Sequence, residues 1–412
     1  LYEGLRNMTP TAVSQVIEAL GKLLLGLGLA YLVKRLGWGD PFVAAAAMVG
    51  VTLGTVFALL YMMAHHRRHG TGITRAELAA SPAPVSSRSA LKMLLAIAIP
   101  VALGSVATQI TNLVDVTSLQ RCLRNIMESD GELVQGLYAS QLSASDVAVD
   151  EIATWLYGNR GTAMTYVNLV PNLTLTFGIS ALPVITTAWA MKDHRQLRGT
   201  VESVIRITLL IALPAGIGMA VLGEPLMYLI YGSTAVSTVV GPLLNVLGFA
   251  VIFICLIAPI NAMLQAVGRA DLPVKIMIVG GILKFVLNIL LVSRPEINIM
   301  GSAISTLVCY VVMVVLSVVM LCRVVRIRLR LRTVVIKPLL AALCCGGAAW
   351  GMNRLLGLFA GARISVVLAV LAAVLVYIFF LLKLKTLTKS DVFMLPKGQK
   401  VAQLLEKYNW MG

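Results

Sequence analysis

The chain has 412 residues, of which 58% are hydrophobic and 13% are charged, and its formal net charge is +16. Soluble domains contain about 45–50% apolar and about 25% charged residues, so this composition excludes an ordinary soluble protein. The positive charges stand in short segments between apolar runs, with no basic helix or aromatic stacking platform beside them, which argues against nucleic-acid binding.

Ten apolar runs are long enough to cross a bilayer, since a span needs about 20 mostly apolar residues. The spans are expected to be helical, because lipid satisfies no backbone hydrogen bond and the runs lack the alternation of a barrel strand. The sequence therefore predicts an all-α polytopic membrane protein. In chain order the ten runs are Thr11–Leu32, Pro41–Ala64, Leu91–Val114, Met164–Met191, Val201–Leu222, Val239–Val267, Pro273–Val292, Met300–Leu321, Lys337–Leu358 and Ile364–Leu382.

Lysine and arginine are unevenly divided between the two sides of the predicted spans. One side holds about three times as many of them as the other, including the cluster at 65–68, the segment Arg323–Lys337 and the tail after Leu382. Cytoplasmic loops carry the excess of positive charge in multi-pass proteins. This side, together with both ends of the chain, is therefore predicted to be cytoplasmic.

Two polar segments interrupt the pattern of spans. Residues 65–90 contain the stretch Ser81-Pro-Ala-Pro-Val-Ser-Ser and are predicted to be a cytoplasmic linker between two helix bundles. Residues 115–160 are predicted to form a long external loop that carries most of the loop carboxylates. The predicted organisation is the last two helices of an N-terminal lobe at 1–64, the linker at 65–90, a six-helix lobe at 91–322, a basic cytoplasmic loop at 323–336, two appended helices at 337–382 and a cytoplasmic tail at 383–412.

A faint internal repeat relates the first and seventh spans. Lys22 follows Pro10 by 12 residues, and Lys284 follows Pro273 by 11 residues. Transporters built from two parallel six-span halves have such a repeat. Only two spans precede the linker in this sequence, so we expect about four further spans to precede Leu1.

Lys22 and Lys284 each stand near the middle of a span, where an ammonium costs about 3 kcal/mol on insertion scales. Such residues usually face a protein-lined cavity, so both lysines are predicted to point into one polar interior. Glu18 lies one turn before Lys22 on the same helical face, with Gln15 nearby. This pair is either a neutralised structural contact or a cavity-facing group that lends its ammonium to an anionic substrate.

Lys284 has no carboxylate three or four residues away, and Asn288 follows one turn later. Lys284 is therefore expected to face a cavity or to find a partner on another helix. Asp115 is one candidate partner, although its position at the outer end of the third span predicts too shallow a depth. Asn168 and Asn172 flank a proline in the fourth span, which either kinks that helix or allows it to bend.

The segment Arg323–Arg332 is densely basic, which is typical of a cytoplasmic loop and also suits contact with anionic lipid headgroups. No P-loop, metal-ligand spacing or Ser-His-Asp set stands out in the sequence. The chain is therefore not predicted to be an enzyme, or to hold a metal or a cofactor. A gradient or the asymmetry of the substrate is expected to drive transport.

Several motifs resemble one known family. The stretch Asn7-Met-Thr-Pro-Thr-Ala-Val-Ser-Gln-Val-Ile-Glu18 resembles the start of the fifth helix in the SpoVB/MurJ-type branch of the polysaccharide flippase (MOP) superfamily. The later stretches that are similar to that branch, in order, are Ile99-Pro-Val-Ala-Leu-Gly104, Asn112-Leu-Val-Asp115, Leu156-Tyr-Gly158, Leu264-Gln-Ala-Val-Gly-Arg269, Leu387-Thr-Lys-Ser-Asp391 and Leu395-Pro-Lys-Gly398.

The resemblance implies fourteen helices in two six-helix lobes plus two appended helices, of which the spans here would be the fifth to the fourteenth. It also implies a central cavity that takes an undecaprenyl-pyrophosphate-linked saccharide, and a bacterial cytoplasmic membrane as the location. The cationic residues that family members have on their first two helices are absent from this sequence. Some members couple to sodium through helices seven, eleven and twelve. Lys284 and Asn288 lie on the helix corresponding to the eleventh, so an ammonium would stand where others bind the ion.

The sequence thus predicts a flippase that moves a lipid-linked saccharide, with lipid II as the leading substrate, by alternating access. Lys22 and Lys284 would attract the pyrophosphate as point charges, and Glu18 would hold Lys22. Side-chain amides would meet the sugars, from Gln15, Asn168, Asn172 and Asn288. Two alternatives stay open: a cation-coupled multidrug exporter of the same superfamily, and a non-transporting scaffold that recruits cell-wall synthesis proteins through the external loop. The phospholipid bilayer is an expected partner in every case.

Overall fold

A computed structural model of the chain describes residues 9–70, 86–95, 112–359, 361–384 and 386, and at 175–180 and 183 it describes the backbone only. The regular structure of these residues is helical, which confirms the predicted all-α class. The chain forms two compact units, Leu1–Lys92 and Met93–Gly412. The finer six-part division stays a prediction.

The first unit contains two long helices, α1 (Thr9–Arg35) and α2 (Asp40–His69). Glycines on both helices lie at their contact. A Cβ atom built on Gly50 would lie 2.5 Å from the backbone nitrogen of Gly26, and one built on Gly54 would lie 2.5 Å from the backbone nitrogen of Lys22. Small residues of this kind let membrane helices approach until their backbones touch.

In the second unit, helical residues at 112–114 lead into a π-helical turn at Asp115–Leu119, and helices joined by short connections follow. A short helical stretch also occupies 87–95. The named helices are α3 (Gln120–Leu137), α4 (Ala139–Ser145), α5 (Ile152–Val167), α6 (Leu169–Ala190), α7 (His194–Tyr231), α8 (Thr234–Ala266), α9 (Asp271–Val292), α10 (Met300–Val325), α11 (Lys337–Leu356) and α12 (Ala362–Lys383).

Helices α7 and α8 form the centre of the second unit, where the other long helices pack around them. Glycines again set the distance between the two. A Cβ atom on Gly248 would lie 2.5 Å from the nitrogen of Ala220 and 2.6 Å from the carbonyl oxygen of Gly216. Two apolar clusters of buried side chains, one toward each end of this helix pair, make up most of the core.

Helix α7 breaks at Leu222, where φ is −109° and ψ is 20°. Pro225 follows three residues later; a proline ring removes one helical hydrogen bond and crowds the preceding turn. Pro214 in the same helix and Pro259 in α8 stand within continuous helix. The interruption is therefore local to one turn of α7.

Within the described residues, eight helices are long and apolar enough to cross a membrane. The predicted third span falls largely on 96–111, outside the described residues. The predicted fourth span, Met164–Met191, is divided between two helices. Helix α5 ends at Val167, Asn168 separates the two, and α6 begins at Leu169. The total of ten spans stays a prediction, as does the linker, most of which lies at 71–85, again outside the described residues.

The segment predicted to be a polar external loop, 115–160, is mostly helical. An apolar stripe at helical spacing, which includes Leu119, Leu123, Ile126 and Val134, is buried in the core. Cys122 is buried beside this stripe because it shares that face of α3. Residues 115–160 therefore form an integral part of the second unit.

We expect Gly248→Ala to destabilise the second unit by about 1–3 kcal/mol, because the added methyl group would meet backbone atoms that cannot move aside. Gly218→Ala in α7 is the matched control, since a Cβ atom there meets nothing within 4 Å. That control should be neutral or stabilising, because alanine favours helix over glycine. Thermal unfolding of the purified variants measures both; equal melting temperatures would refute the packing argument.

Candidate functional site

A cluster of charged and polar side chains is buried in the second unit between the π-helical turn and helices α5, α9 and α10. Every member is less than 10% exposed. This buried charge cluster consists of Asp115, Ser118, Arg160, Lys284, Asn288 and Ser305.

The carboxylate of Asp115 is the centre of the cluster. Its Oδ2 accepts hydrogen bonds from Lys284 Nζ, at 2.7 Å, and from Arg160 Nη2. Its Oδ1 accepts a hydrogen bond of 3.2 Å from Asn288 Nδ2. Three donors from two helices thus converge on one side chain. Arg160 and Lys284 lie 45 and 169 residues after Asp115 in the sequence, so the carboxylate joins distant parts of the chain.

Local geometry explains how these side chains meet. Lys284 and Asn288 are four residues apart on α9 and therefore share a face. Facing them, α10 carries Ser305, whose hydroxyl donates to the Oδ1 of Asn288. A Cβ atom on Gly280 of α9 would collide with Met313 of α10, so the two helices approach closely. The wide π-helical turn that begins at Asp115 then directs its carboxylate toward this face.

The cluster holds more positive than negative charge. One carboxylate, Asp115, faces two cations, Lys284 and Arg160, so the three groups have a net formal charge of +1. Charges away from water interact strongly because the surroundings screen them little, and losing one partner leaves the other uncompensated. This arrangement holds α5, α9 and the turn together, and it does not favour a bound metal cation.

Two expectations about this site are corrected by the structure. Lys284 does not face an open cavity: it is 1% exposed, because Asp115 and the neighbouring helices enclose it. Asp115, which was expected to lie too shallow, reaches Lys284 from the π-helical turn, and the two groups are 2.7 Å apart. The pairing itself agrees with Asp115 as a candidate partner.

Arg160 is not among the predicted site residues, because the sequence analysis places it at the end of the predicted external loop. It is buried and contacts Asp115. A signal was present in the sequence: Ile152, Leu156, Ala163 and Val167 form an apolar stripe at helical spacing, and Arg160 falls on that stripe. An arginine among buried positions needs a carboxylate partner.

The other predicted residues lie outside the cluster. In the first unit, Lys22 Nζ donates to Glu18 Oε1 at 2.6 Å, and these side chains are 39% and 32% exposed. Gln15 is exposed. In the second unit, Asn168 and Asn172 are also exposed. Lys22 and Lys284 belong to different units, and the binding roles of all these residues stay predictions.

No group of three His, Cys, Asp or Glu side chains in the described residues is placed to hold a metal ion. The six cysteines are free thiols. The chemistry available at the buried cluster is thus that of fixed charges and hydrogen bonds.

Comparison with known proteins gives consistent matches. The family model described as "Lipid II flippase MurJ" matches residues 136–360. The lipid II flippase MurJ of Bacillus subtilis (strain 168) is 22% identical over 332 residues, which cover 78% of this chain and 56% of that relative. Stage V sporulation protein B of the same organism is 22% identical over 399 residues, covering 96% of this chain and 71% of that relative.

A solved structure, that of a lipid II flippase MurJ in an inward closed conformation, has a similar fold. The TM-score is 0.57 at 13% sequence identity, over 91% of this chain and 66% of that chain. The chain therefore spans little more than half the length of the flippase from Bacillus subtilis and about two thirds of the chain in the solved structure.

We expect Asp115→Asn to destabilise the protein by about 3–5 kcal/mol, because it leaves two buried cations without a counter-charge. Asp271→Asn is the matched control: Asp271 lies at the start of α9 and pairs with Arg269 and Lys275 on the exposed surface. That change should alter stability little, since water screens exposed pairs. Thermal unfolding in detergent compares the two, and a stable Asp115→Asn variant would contradict a charge-dependent cluster.

Proposed function

Because the chain belongs to the MurJ family of lipid II flippases, whose model matches more than half of its length, we propose that it moves a lipid-linked saccharide, most specifically lipid II, across the bacterial cytoplasmic membrane. The polyprenyl tail of such a substrate stays in lipid, so only the headgroup must cross. That headgroup carries a pyrophosphate, which needs cationic partners in a region of low dielectric constant.

The observation that carries the mechanism is that two buried cations share one carboxylate. In the described conformation, Asp115 balances much of the charge on Lys284 and Arg160. Movement of α9 away from the π-helical turn would remove this carboxylate from Lys284. The ammonium would then need another anion, and the pyrophosphate of the substrate would supply it. In this proposal Asp115 and the substrate alternate as partners of Lys284 during alternating access.

Lys22 has the complementary role in the proposal. Its ammonium is partly exposed and is held by Glu18, so it can contact an anion without any helix moving. The exposed amides of Gln15, Asn168 and Asn172 are suited to hydroxyl groups of sugars. These roles rest on exposure and chemistry.

Coupling to a bound sodium ion does not suit this cluster. Lys284 places a permanent donor against Asp115, and Asn288 contributes no negative charge. A cation-coupled multidrug exporter would need an acidic residue free to bind its substrate or ion, whereas Asp115 already accepts from three donors. The contacts of the buried cluster therefore favour an anionic substrate over a cationic one.

We expect Lys284→Met in the full-length protein to lower the amount of externalised lipid II at least tenfold, which corresponds to about 1.4 kcal/mol. Methionine keeps most of the length of the side chain and removes its charge. Lys275→Met is the matched control on the same helix, because Lys275 is exposed and pairs only with Asp271 among the described residues. The control should flip within about twofold of the wild type, a difference well below 1 kcal/mol.

The measurement is the appearance of lipid II on the outer leaflet of cells that depend on this protein, at matched expression levels. Equal flipping by the wild type and by Lys284→Met would contradict the proposed role of the lysine. Equal loss in both lysine variants would show that the effect does not depend on the buried cluster.

A further inference from the structure

A strongly cationic pocket lies at the end of the second unit where α7 begins and α10 ends. Its volume is about 710 Å³. Besides His194, the pocket is lined by the charged side chains of Arg195, Arg198, Glu202, Arg326, Arg328 and Arg330. Five arginines and one glutamate give the lining a net formal charge of +4. The buried charge cluster has no residue in this pocket.

The fold holds these arginines together in spite of their mutual repulsion. Glu202, which is 8% exposed, accepts a hydrogen bond of 2.9 Å from Arg198 Nε and one of 3.0 Å from the backbone nitrogen of Arg330. It thereby ties the segment after α10 to the first turns of α7. Among the described residues that line the pocket, the one carboxylate is thus used for structure.

The chain turns sharply where α10 ends. Arg326 has a positive φ of 56°, and the next residue, Ile327, is buried in the core. Burial then alternates, so that Arg326, Arg328 and Arg330 are exposed while Ile327 is not. Arg326, Arg328 and Arg330 all line the pocket, together with Arg195 and Arg198 of α7.

These arginines are available to a ligand. Among the described residues, no carboxylate pairs with the side chains of Arg195, Arg326, Arg328 or Arg330. A guanidinium group binds phosphate oxygens in a two-pronged geometry, and several guanidinium groups around one pocket suit an anionic phosphate group.

The surroundings of the pocket favour a lipid over a soluble phosphate. Leu331, the next residue of the basic segment, is 60% exposed, and Ile336 is 47% exposed. The arginines thus stand beside exposed apolar side chains, an arrangement suited to the boundary between headgroups and acyl chains. The same end of the molecule carries the excess of lysine and arginine, and cytoplasmic leaflets contain anionic lipids.

We propose that this pocket binds the phosphate headgroup of an anionic phospholipid, with Arg326, Arg328 and Arg330 on one side and Arg195 and Arg198 on the other. The bound lipid would neutralise the repulsion among the arginines and fix the segment between α10 and α11. This site shares no residue with the buried charge cluster, and its test does not depend on flipping.

The test measures binding of a short-chain fluorescent phosphatidylglycerol to the full-length protein in detergent. The pocket variant combines Arg326→Gln, Arg328→Gln and Arg330→Gln. The control variant combines Lys192→Gln, Lys275→Gln and Arg323→Gln, which removes the same charge from the same end of the molecule but outside the pocket lining. We expect the pocket variant to bind at least tenfold more weakly, or about 1.4 kcal/mol, and the control to stay within about threefold of the wild type.

Two further arms identify the ligand. Zwitterionic phosphatidylcholine of the same chain length should bind at least tenfold more weakly than phosphatidylglycerol, and inorganic phosphate should compete only weakly. Equal losses in the pocket and control variants would overturn the proposal in favour of general electrostatic attraction. Inorganic phosphate that displaces the lipid at equal concentration would overturn the assignment to a lipid.

Melting temperatures of both variants without lipid establish that each is folded, and restoring the pocket with three lysines should recover part of the binding.

Discussion

Asp115 accepts hydrogen bonds from Lys284, Arg160 and Asn288, and the arrangement of α5, α9 and the π-helical turn depends on this one carboxylate. An ammonium and a guanidinium are costly to place away from water, and a shared counter-charge offsets that cost only while the geometry is kept. The cluster therefore stabilises one packing of these elements, and small displacements of the helices lose that stabilisation.

Close packing makes this geometry accessible. Helices in lipid gain no hydrophobic energy from meeting each other, so small residues and polar contacts must hold them. Gly280 brings α9 against α10, where Ser305 reaches Asn288, and Gly216 and Gly248 bring α7 against α8. The glycines set the distances between helices, and the charged cluster then sets which faces meet.

The two positively charged regions of the second unit differ in how much net charge they carry, because one is buried and the other is exposed. At the buried cluster a single excess positive charge interacts strongly with its neighbours, because little water screens it. At the pocket beside α7 a lining charge of +4 is tolerated, because most of its arginines are exposed and Glu202 accepts a hydrogen bond from the backbone nitrogen of Arg330. The first suits the exchange of partners proposed for Lys284, and the second suits the proposed binding of a phospholipid.

The sequence by itself determined the all-α membrane class, the positions of most helices and the family, because apolar runs, loop charges and motif order are local properties. It also identified Lys284, Asn288 and Asp115, since intramembrane polar residues are conspicuous. It did not reveal the burial of Lys284 or the part taken by Arg160. Those depend on the π-helical turn and on helical packing of 115–160, which bring together residues far apart in the chain, and such long-range contacts are decided only when the helices pack.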